Sequence, residues 1–557
     1  MEPVSAHPHS LAQELRYRSA KVARVLGLYR TLTGGRPPEH PTIPDDVTWP
    51  ADPWPGDPNI GSAIVSGRYP FGGVSRTISG SPWQKVEAPS LWHRHAHGFE
   101  WLRDLAAIGG SEGDATARRL LHGWIEHEAA GAFRHQPATW SPGPCGRRLS
   151  TWLFHWPMLS QNMADREMEP FLDSLGRHMR HLFLIAGVEG DGADRHAAIL
   201  ALIHGCLLIP DFNGRLTAAI RLLEREMSYS ILPDGCHATR SPRVQFEVLR
   251  DLTALRGVFE ALRRDVPIAL STAIDRVAPI VRLFRHGDGR FALFHDTREG
   301  DAEEIERVLQ RADAKGRAPS RSPHGGYERL VSGKLCVIAD VGAPPSAPFD
   351  GCIHAAPLAM EVSFGAERLI VNCGAARGAD GDWARAQRST AAHSTLSVEN
   401  TNADEIDARG RIGKRRASTV VERNENDDAI WIDMSHDGYK RPFGLTHRRR
   451  LYLTSEGADL RGEDSLEGEE GHTFALRFHL HPKVQVSLLA NHASALLKTP
   501  SGAGWRLRAA GADLSLTESV YLGGPQDTKR TQQILLTGVT GPGGATVKWA
   551  LQREGKR

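Results

Sequence analysis

The hydrophobic period of this 557-residue chain changes once, near residue 290. Before that point apolar residues recur every three or four positions, the spacing of one helix face. Leu200, Leu202, Ile203, Leu207 and Leu208 mark one such run. Leu216, Ile220, Leu222, Leu223 and Met227 mark the next, and Val244, Val248, Leu249, Leu252 and Leu255 a third. The spacing predicts further helices over roughly 10–32, 91–108, 113–130, 148–163, 167–186 and 268–284. Gly109-Gly110, Pro210-Asp211 and Pro233-Asp234-Gly235 make the links short, which implies antiparallel neighbours. After residue 290 the runs shorten to strand length: Arg290–His295, Lys334–Ala339, Leu358–Phe364, Arg368–Asn372, Ser394–Val398, Ile430–Met434, Arg449–Leu453 and Thr473–His479. Many short strands without intervening helices argue an antiparallel β-sandwich. The chain therefore reads as multidomain, α then β.

Residues 37–90 fit neither period. Their Pro, Gly, Trp and Asp content excludes a continuous helix and leaves either an arm packed on the helical part or an irregular surface loop. Sixty-eight Lys and Arg against 66 Asp and Glu give a net charge of +2, too even for an extended nucleic-acid footprint. No apolar run is long enough to cross a membrane as a helix. Cys145, Cys206, Cys236, Cys336, Cys352 and Cys373 are widely spaced with no CxxC, so a reduced compartment is expected. The first thirty residues lack the apolar stretch of a secretion signal, which points to the cytoplasm, with the periplasm or cell envelope as the alternative for a mature form.

Histidine is the outlier, with 26 copies that cluster. In Trp92-His93-Arg94-His95-Ala96-His97-Gly98-Phe99-Glu100-Trp101, helical spacing puts His93 and His97 on one face, either a wall for a sugar or carboxylate or a polar seam between helices. In Leu232-Pro233-Asp234-Gly235-Cys236-His237-Ala238-Thr239-Arg240-Ser241-Pro242, a turn leads to Ser as N-cap and Pro at the first helical position. His237 and Arg240 beside that helix start suit an anionic ligand, or are simply part of a capped loop. Cys352-Ile353-His354, Asn372-Cys373-Gly374 and Ser389 to Ser394, with His393, sit at strand edges as a zinc-compatible set of residue types. Tyr439 follows an Asp-Gly turn, and His479 and His481 share one face of a strand.

LWHRHAHGFEWLRDL, RRLSTWL, ILPDGCHATRSPRVQFEVL, IHAAPLAMEVSFGAERLIVNCG, RSTAAHSTLSVENT, HDGYKRPFGLTHRRRLYL and FALRFHLHP follow one another over roughly residues 90–485. This ordered set resembles the heparinase II/III-like polysaccharide lyases, in particular their bacterial branch without a secretion signal. The resemblance implies an (α/α) toroid of antiparallel helix hairpins followed by an antiparallel β-sandwich. The boundaries expected are 1–90 for an N-terminal helix and arm, 91–288 for the toroid and 289–557 for the sandwich. It also implies β-elimination on a uronate-containing polysaccharide or oligosaccharide. That chemistry needs a group to neutralise the uronate carboxylate, a base for the adjacent proton and an acid for the leaving oxygen.

Carried over residue by residue, the resemblance makes His237 and Arg240 the carboxylate-neutralising pair and Tyr439 and His354 the proton-transfer candidates. His97, Arg148, Trp152, His196 and Gln245 become substrate-binding residues. A zinc ion would be held by His354, Asn372 and His393, with Asn372 where the family usually has a carboxylate; no organic cofactor is expected. The family's catalytic tyrosine falls on Val244, which transfers no proton. Two functions follow. One is a lyase acting on an acidic glycan; the alternative is a non-catalytic acidic-glycan-binding or polysaccharide-assembly protein on a lyase scaffold. The partner expected is an acidic polysaccharide or oligosaccharide rather than a nucleic acid or membrane, with a homodimer left open.

Overall fold

The computed structural model describes residues 41–43, 48–84, 86–88, 90–133, 136–188, 190, 192–376, 381–408, 410–490, 492–524 and 528–555. The helix expected over 10–32 lies outside them. The chain divides into two compact units: 1–230 with 247–274, and 231–246 with 275–557. The division differs from the expected boundary at 288. It places the loop carrying His237 and Arg240 with the C-terminal unit.

The first unit is helical. Its helix Gly192–Leu208 is buried almost throughout, the polar Arg195, His196 and His204 included. Pro142–Phe154 packs on it closely because Gly146 has no side chain: a Cβ there would lie 2.6 Å from Ala197 O. Helices Ser111–Ala129, Asp165–Ile185 and Leu216–Ser230 match the expected spans within a few residues. The helix expected over 91–108 is two, Ser90–Gly98 and Leu102–Ile108, interrupted at Phe99, whose φ is +62°. The stretch expected over 148–163 likewise divides, into Pro142–Phe154 and Trp156–Ser160. The Pro-rich arm is structured where described. It forms helix Pro58–Val65 and a hairpin of β1 (Arg68–Phe71) and β2 (Val74–Thr77), with Phe71 packed against Trp92 and Trp101.

The second unit is a sandwich of two antiparallel sheets. The nine-stranded sheet runs β17-β18-β13-β7-β6-β5-β4-β3, with β8 pairing β13. Its members are β3 (Arg321–Ser322), β4 (Tyr327–Ser332), β5 (Leu335–Asp340), β6 (Met360–Phe364), β7 (Glu367–Val371), β8 (Leu396–Val398), β13 (Thr473–Leu480), β17 (Asp513–Tyr521) and β18 (Lys529–Val539). The eight-stranded sheet runs β14-β15-β16-β19-β12-β11-β10-β9. It comprises β9 (Thr419–Glu425), β10 (Ala429–His436), β11 (Leu445–Thr454), β12 (Asp459–Gly468), β14 (Gln485–Leu488), β15 (Ser494–Lys498), β16 (Gly504–Ala510) and β19 (Ala545–Glu554). In β11 the residues Leu445, His447, Arg449, Leu451 and Leu453 are buried and those between them are not. The buried sets of both sheets form one core, including Val337, Val362, Leu451, Phe478, Trp505 and Trp549.

Two expectations fail here. Arg290–His295 is no strand: Phe291 makes only an isolated bridge to Arg285. The stretch after residue 290 also contains a helix, Ala302–Ala312, N-capped by Asp301, whose side chain accepts from Glu304 N at 2.8 Å. Among the described residues no helix is long and apolar enough to cross a membrane.

Candidate functional site

In the helical unit the residues expected to bind sugar are packed inside. Arg148 is fully buried and donates to His97 O (2.5 Å), Thr139 O (3.0 Å) and His178 Nε2 (2.8 Å). Its guanidinium lies over the rings of Trp124, Trp140 and Trp152, at 4.5 to 5.8 Å from their centroids. Trp124 Nε1 donates to His97 Nδ1 at 3.0 Å. Burial lowers the Arg148 pKa to about 10 and holds His97 and His178 well below the usual histidine value, with Arg148 adding to both effects. His178 accepts from Arg148 while its Nδ1 faces Ser174 O at 2.6 Å, the pattern of a neutral ring. Trp124, Trp140 and Trp152 thus surround the Arg148 cation, and His97 is bonded into the same buried cluster rather than facing a ligand. His196 is also fully buried, its Nε2 2.9 Å from Ser230 Oγ and 3.7 Å from Glu226 Oε1.

The second unit brings together residues from five separate stretches. The loop before helix Pro242–Ala261 is fixed by Asp234 Oδ2, which accepts from Ser322 Oγ, His324 N and Gly325 N at 2.7 to 2.9 Å. Gly235 is required there: its φ is +90°, and a Cβ would fall 2.0 Å from Arg276 O. Gln245 clips the same loop, accepting from His237 N (2.6 Å) and donating to Gly235 O (2.9 Å) and Val277 O (3.0 Å). Its amide is committed to the backbone, not to a substrate. Val244, where the resemblance leads one to expect the family's tyrosine, is buried.

Arg240, 4% exposed, donates to Gly325 O (2.7 Å), Ala343 O (3.2 Å), Gly326 O (3.3 Å) and Asp340 Oδ1. Gly342 makes room for it, since a Cβ there would meet Arg240 Nη2 at 2.4 Å. Tyr327 Oη donates to Arg240 O at 2.6 Å. Burial would raise the Asp340 pKa, but Arg240 and His295 outweigh it and hold the carboxyl below its usual value. Arg240 therefore meets an internal carboxylate, with four of its five N–H donors committed inside the protein. Its φ of +56°, and that of His295 at +55°, lie in the left-handed region, strain held by this bonding.

From Asp340 the contacts continue through three imidazoles. His295 Nε2 is 3.2 Å from Asp340 Oδ2, and His295 Nδ1 accepts from His354 N at 3.2 Å. His354 Nδ1 and His393 Nε2 are 3.0 Å apart, and His393 Nδ1 is 2.8 Å from Ser389 O. A carbonyl only accepts, so His393 Nδ1 carries its proton, His393 Nε2 accepts from His354 Nδ1, and the lone pair of His354 lies on Nε2. Burial is the main cause that lowers all three, His393 to about 4 and His354 well below the usual value. His237 joins through the loop, its Nδ1 2.8 Å from Thr239 Oγ1 and its ring edge-on to Phe349.

The three residues expected to hold zinc are bonded to one another or to the backbone in this structure. The His393 lone pair faces His354, and Asn372 Oδ1 accepts from Ser394 N at 2.9 Å. No three His, Cys, Asp or Glu converge on a common point among the described residues. Tyr439 is displaced from the expected role as well. It is fully buried in the sandwich core, its hydroxyl donates to Leu396 O at 3.0 Å, and burial pushes its pKa up. Of the four expected catalytic residues, His237, Arg240 and His354 belong to one buried network and Tyr439 does not. The sequence reading misses Tyr327, His295 and Asp340. The one available signal was Asp340 at the end of an otherwise apolar strand, where a buried carboxylate needs a cation.

A heparinase II/III-like C-terminal domain model matches residues 314–550. The FtsZ-localized protein C of Caulobacter vibrioides is 34% identical over 529 residues, covering 90% of this chain and 89% of that protein. The chain belongs to the heparinase II/III-like family. Solved structures share the fold of this heparinase II/III-like protein at much lower identity. A heparinase III crystal structure matches with a TM-score of 0.70 at 14% identity, covering 96% of this chain and 91% of that one. The heparan sulfate lyase HepC of Pedobacter heparinus matches at 0.60 and 15%, covering 97% and 91%. The Streptomyces coelicolor chondroitin AC lyase solved with chondroitin sulphate matches at 0.52 and 13%, covering 97% and 83%.

Proposed function

We propose that this heparinase II/III-like protein is a non-catalytic member of its family, which binds acidic glycan without cleaving it and localises with FtsZ. The observation that carries the reading is the bonding of Arg240. The residue expected to neutralise a substrate carboxylate already neutralises Asp340 and donates to three backbone carbonyls. Val244, at the tyrosine position, has no proton to transfer. The whole-length kinship with the FtsZ-localized relative supports the second half of the reading.

The test has two arms. Purified protein is incubated with a panel of uronate polymers and oligomers, and the near-ultraviolet absorbance of unsaturated uronate is followed. No product is expected; a steady absorbance rise, absent from the Arg240→Ala variant, overturns the reading in favour of a lyase. In cells, a fluorescent fusion is expected to colocalise with FtsZ, and a signal independent of FtsZ removes that half.

A further inference from the structure

The outer face of the eight-stranded sheet carries a pattern that the core does not require. Strand register sets Trp431, Tyr452, Arg461, Ala550 and Arg508 side by side on β10, β11, β12, β19 and β16. Neighbouring strands are about 4.8 Å apart, so the row is about 19 Å long. A second row beside it, Asp433, Arg450, Glu463 and Lys548, is an ion-pair ladder with contacts of 3.0, 2.8 and 3.6 Å. The two rows, Asp433 excepted, line a depression of about 470 Å³. It is low in the middle because Ala550 and Ala510 bring only methyl groups there, between aromatic rings on one side and long cations on the other.

The lining is open and cationic. Tyr452 is 36% exposed, and the side chains of Arg461 and Lys548 are 59% and 72% exposed. Arg450, Arg461, Arg508 and Lys548 face one lining carboxylate, Glu463. Asp433 and Asp459 hold Arg450 and Arg461 from the flank, whereas Arg508 has no acidic partner among the described residues. The Arg461 guanidinium lies 5.8 Å over the Tyr452 ring and steadies it.

We propose that this face is a platform for an acidic oligosaccharide of a few sugar units. One pyranose ring rests on Trp431 and Tyr452, and the carboxylate of a later unit meets Arg508 and Lys548. An aromatic face takes the apolar C–H side of a sugar, and a guanidinium matches a carboxylate in two-pronged geometry. A peptide fits less well: the row crosses strands already paired on both sides, so no free edge is offered for strand addition. The site is separate from the buried histidine network, and the proposal rests on the reading that the protein binds glycan without cleaving it.

The full-length protein is titrated with a galacturonate oligomer, with a cellulose oligomer of equal length as the uncharged control and polyglutamate as the peptide control. Tryptophan fluorescence and calorimetry follow binding. Saturable binding of the galacturonate oligomer is expected, with at least tenfold weaker binding of both controls. Trp431→Ala and Arg508→Glu are each expected to weaken it about tenfold, with unfolding midpoints near wild type, because both side chains lie on the outer face. Arg508→Lys should restore part of the affinity. If wild type binds but both variants bind equally well, the platform is overturned while the glycan-binding reading stands. If wild type binds no acidic glycan, both fall. Polyglutamate binding as tight as the sugar, lost in the same variants, makes this a peptide-docking face and overturns the sugar assignment.

Discussion

Arg240 and Asp340 show what one buried pair imposes. Removing a single partner leaves the other charge inside, which costs about 3–5 kcal/mol, more than the pair itself contributes. Asp340→Asn is therefore expected to lower the unfolding free energy by about that amount in denaturant titrations, while an exposed control such as Glu425→Gln changes little. His393 makes a pH prediction. Its folded pKa is about 4, below the usual value of about 6.5, so the unfolded chain takes up the proton first. Its contribution is complete above about pH 6.5, declines by about 1.4 kcal/mol per pH unit as acid is added, and is gone by about pH 4. Asp404, raised to about 7 by burial, acts in the opposite sense over an overlapping range. The check is therefore a difference: His393→Asn should flatten the acid limb of stability against pH by one proton relative to wild type.

At the scale of elements, Gly462 on β12 is a sharp case. A Cβ there would lie 2.1 Å from the Trp549 ring on the paired strand, and that ring is anchored by its Nε1 donating to Asp464 Oδ2 at 2.8 Å. Gly462→Ala is expected to destabilise by about 1–3 kcal/mol, read as a lower melting temperature. The elements themselves were largely legible because periodicity reports which face is buried. The strands around Val337, Val362 and Leu451 alternate or run apolar as the core demands, and the strand expected over 449–453 lies in the second half of β11. Helix Ala302–Ala312 was hidden by its position in a strand-rich stretch, although Asp301 three residues before Glu304 is an ordinary helix start. The apparent strand at Arg290–His295 is a short apolar run buried from Phe291 to His295, but its backbone finds no ladder partner beyond one bridge.

At the scale of the molecule, the candidate site was legible as residue types and not as an arrangement. Histidine, arginine and tryptophan stood out correctly, yet side chains that look ready for a ligand are the same ones a protein uses to satisfy its own interior. Arg148 and Arg240 both have internal partners, and only coordinates distinguish an occupied guanidinium from a free one. The division of the chain makes a further prediction. A fragment starting at residue 275 omits 231–246, which the C-terminal unit includes. Such a fragment leaves Asp340 without Arg240 and should unfold at lower urea than the intact chain, with the midpoint recovering when 231–246 is fused back through a linker.

That interleaving also bears on synthesis. Arg240 precedes Asp340 by 100 residues, and translation at about 5–20 residues per second separates their emergence by about 5–20 s. For that interval the nascent loop has no carboxylate to receive it.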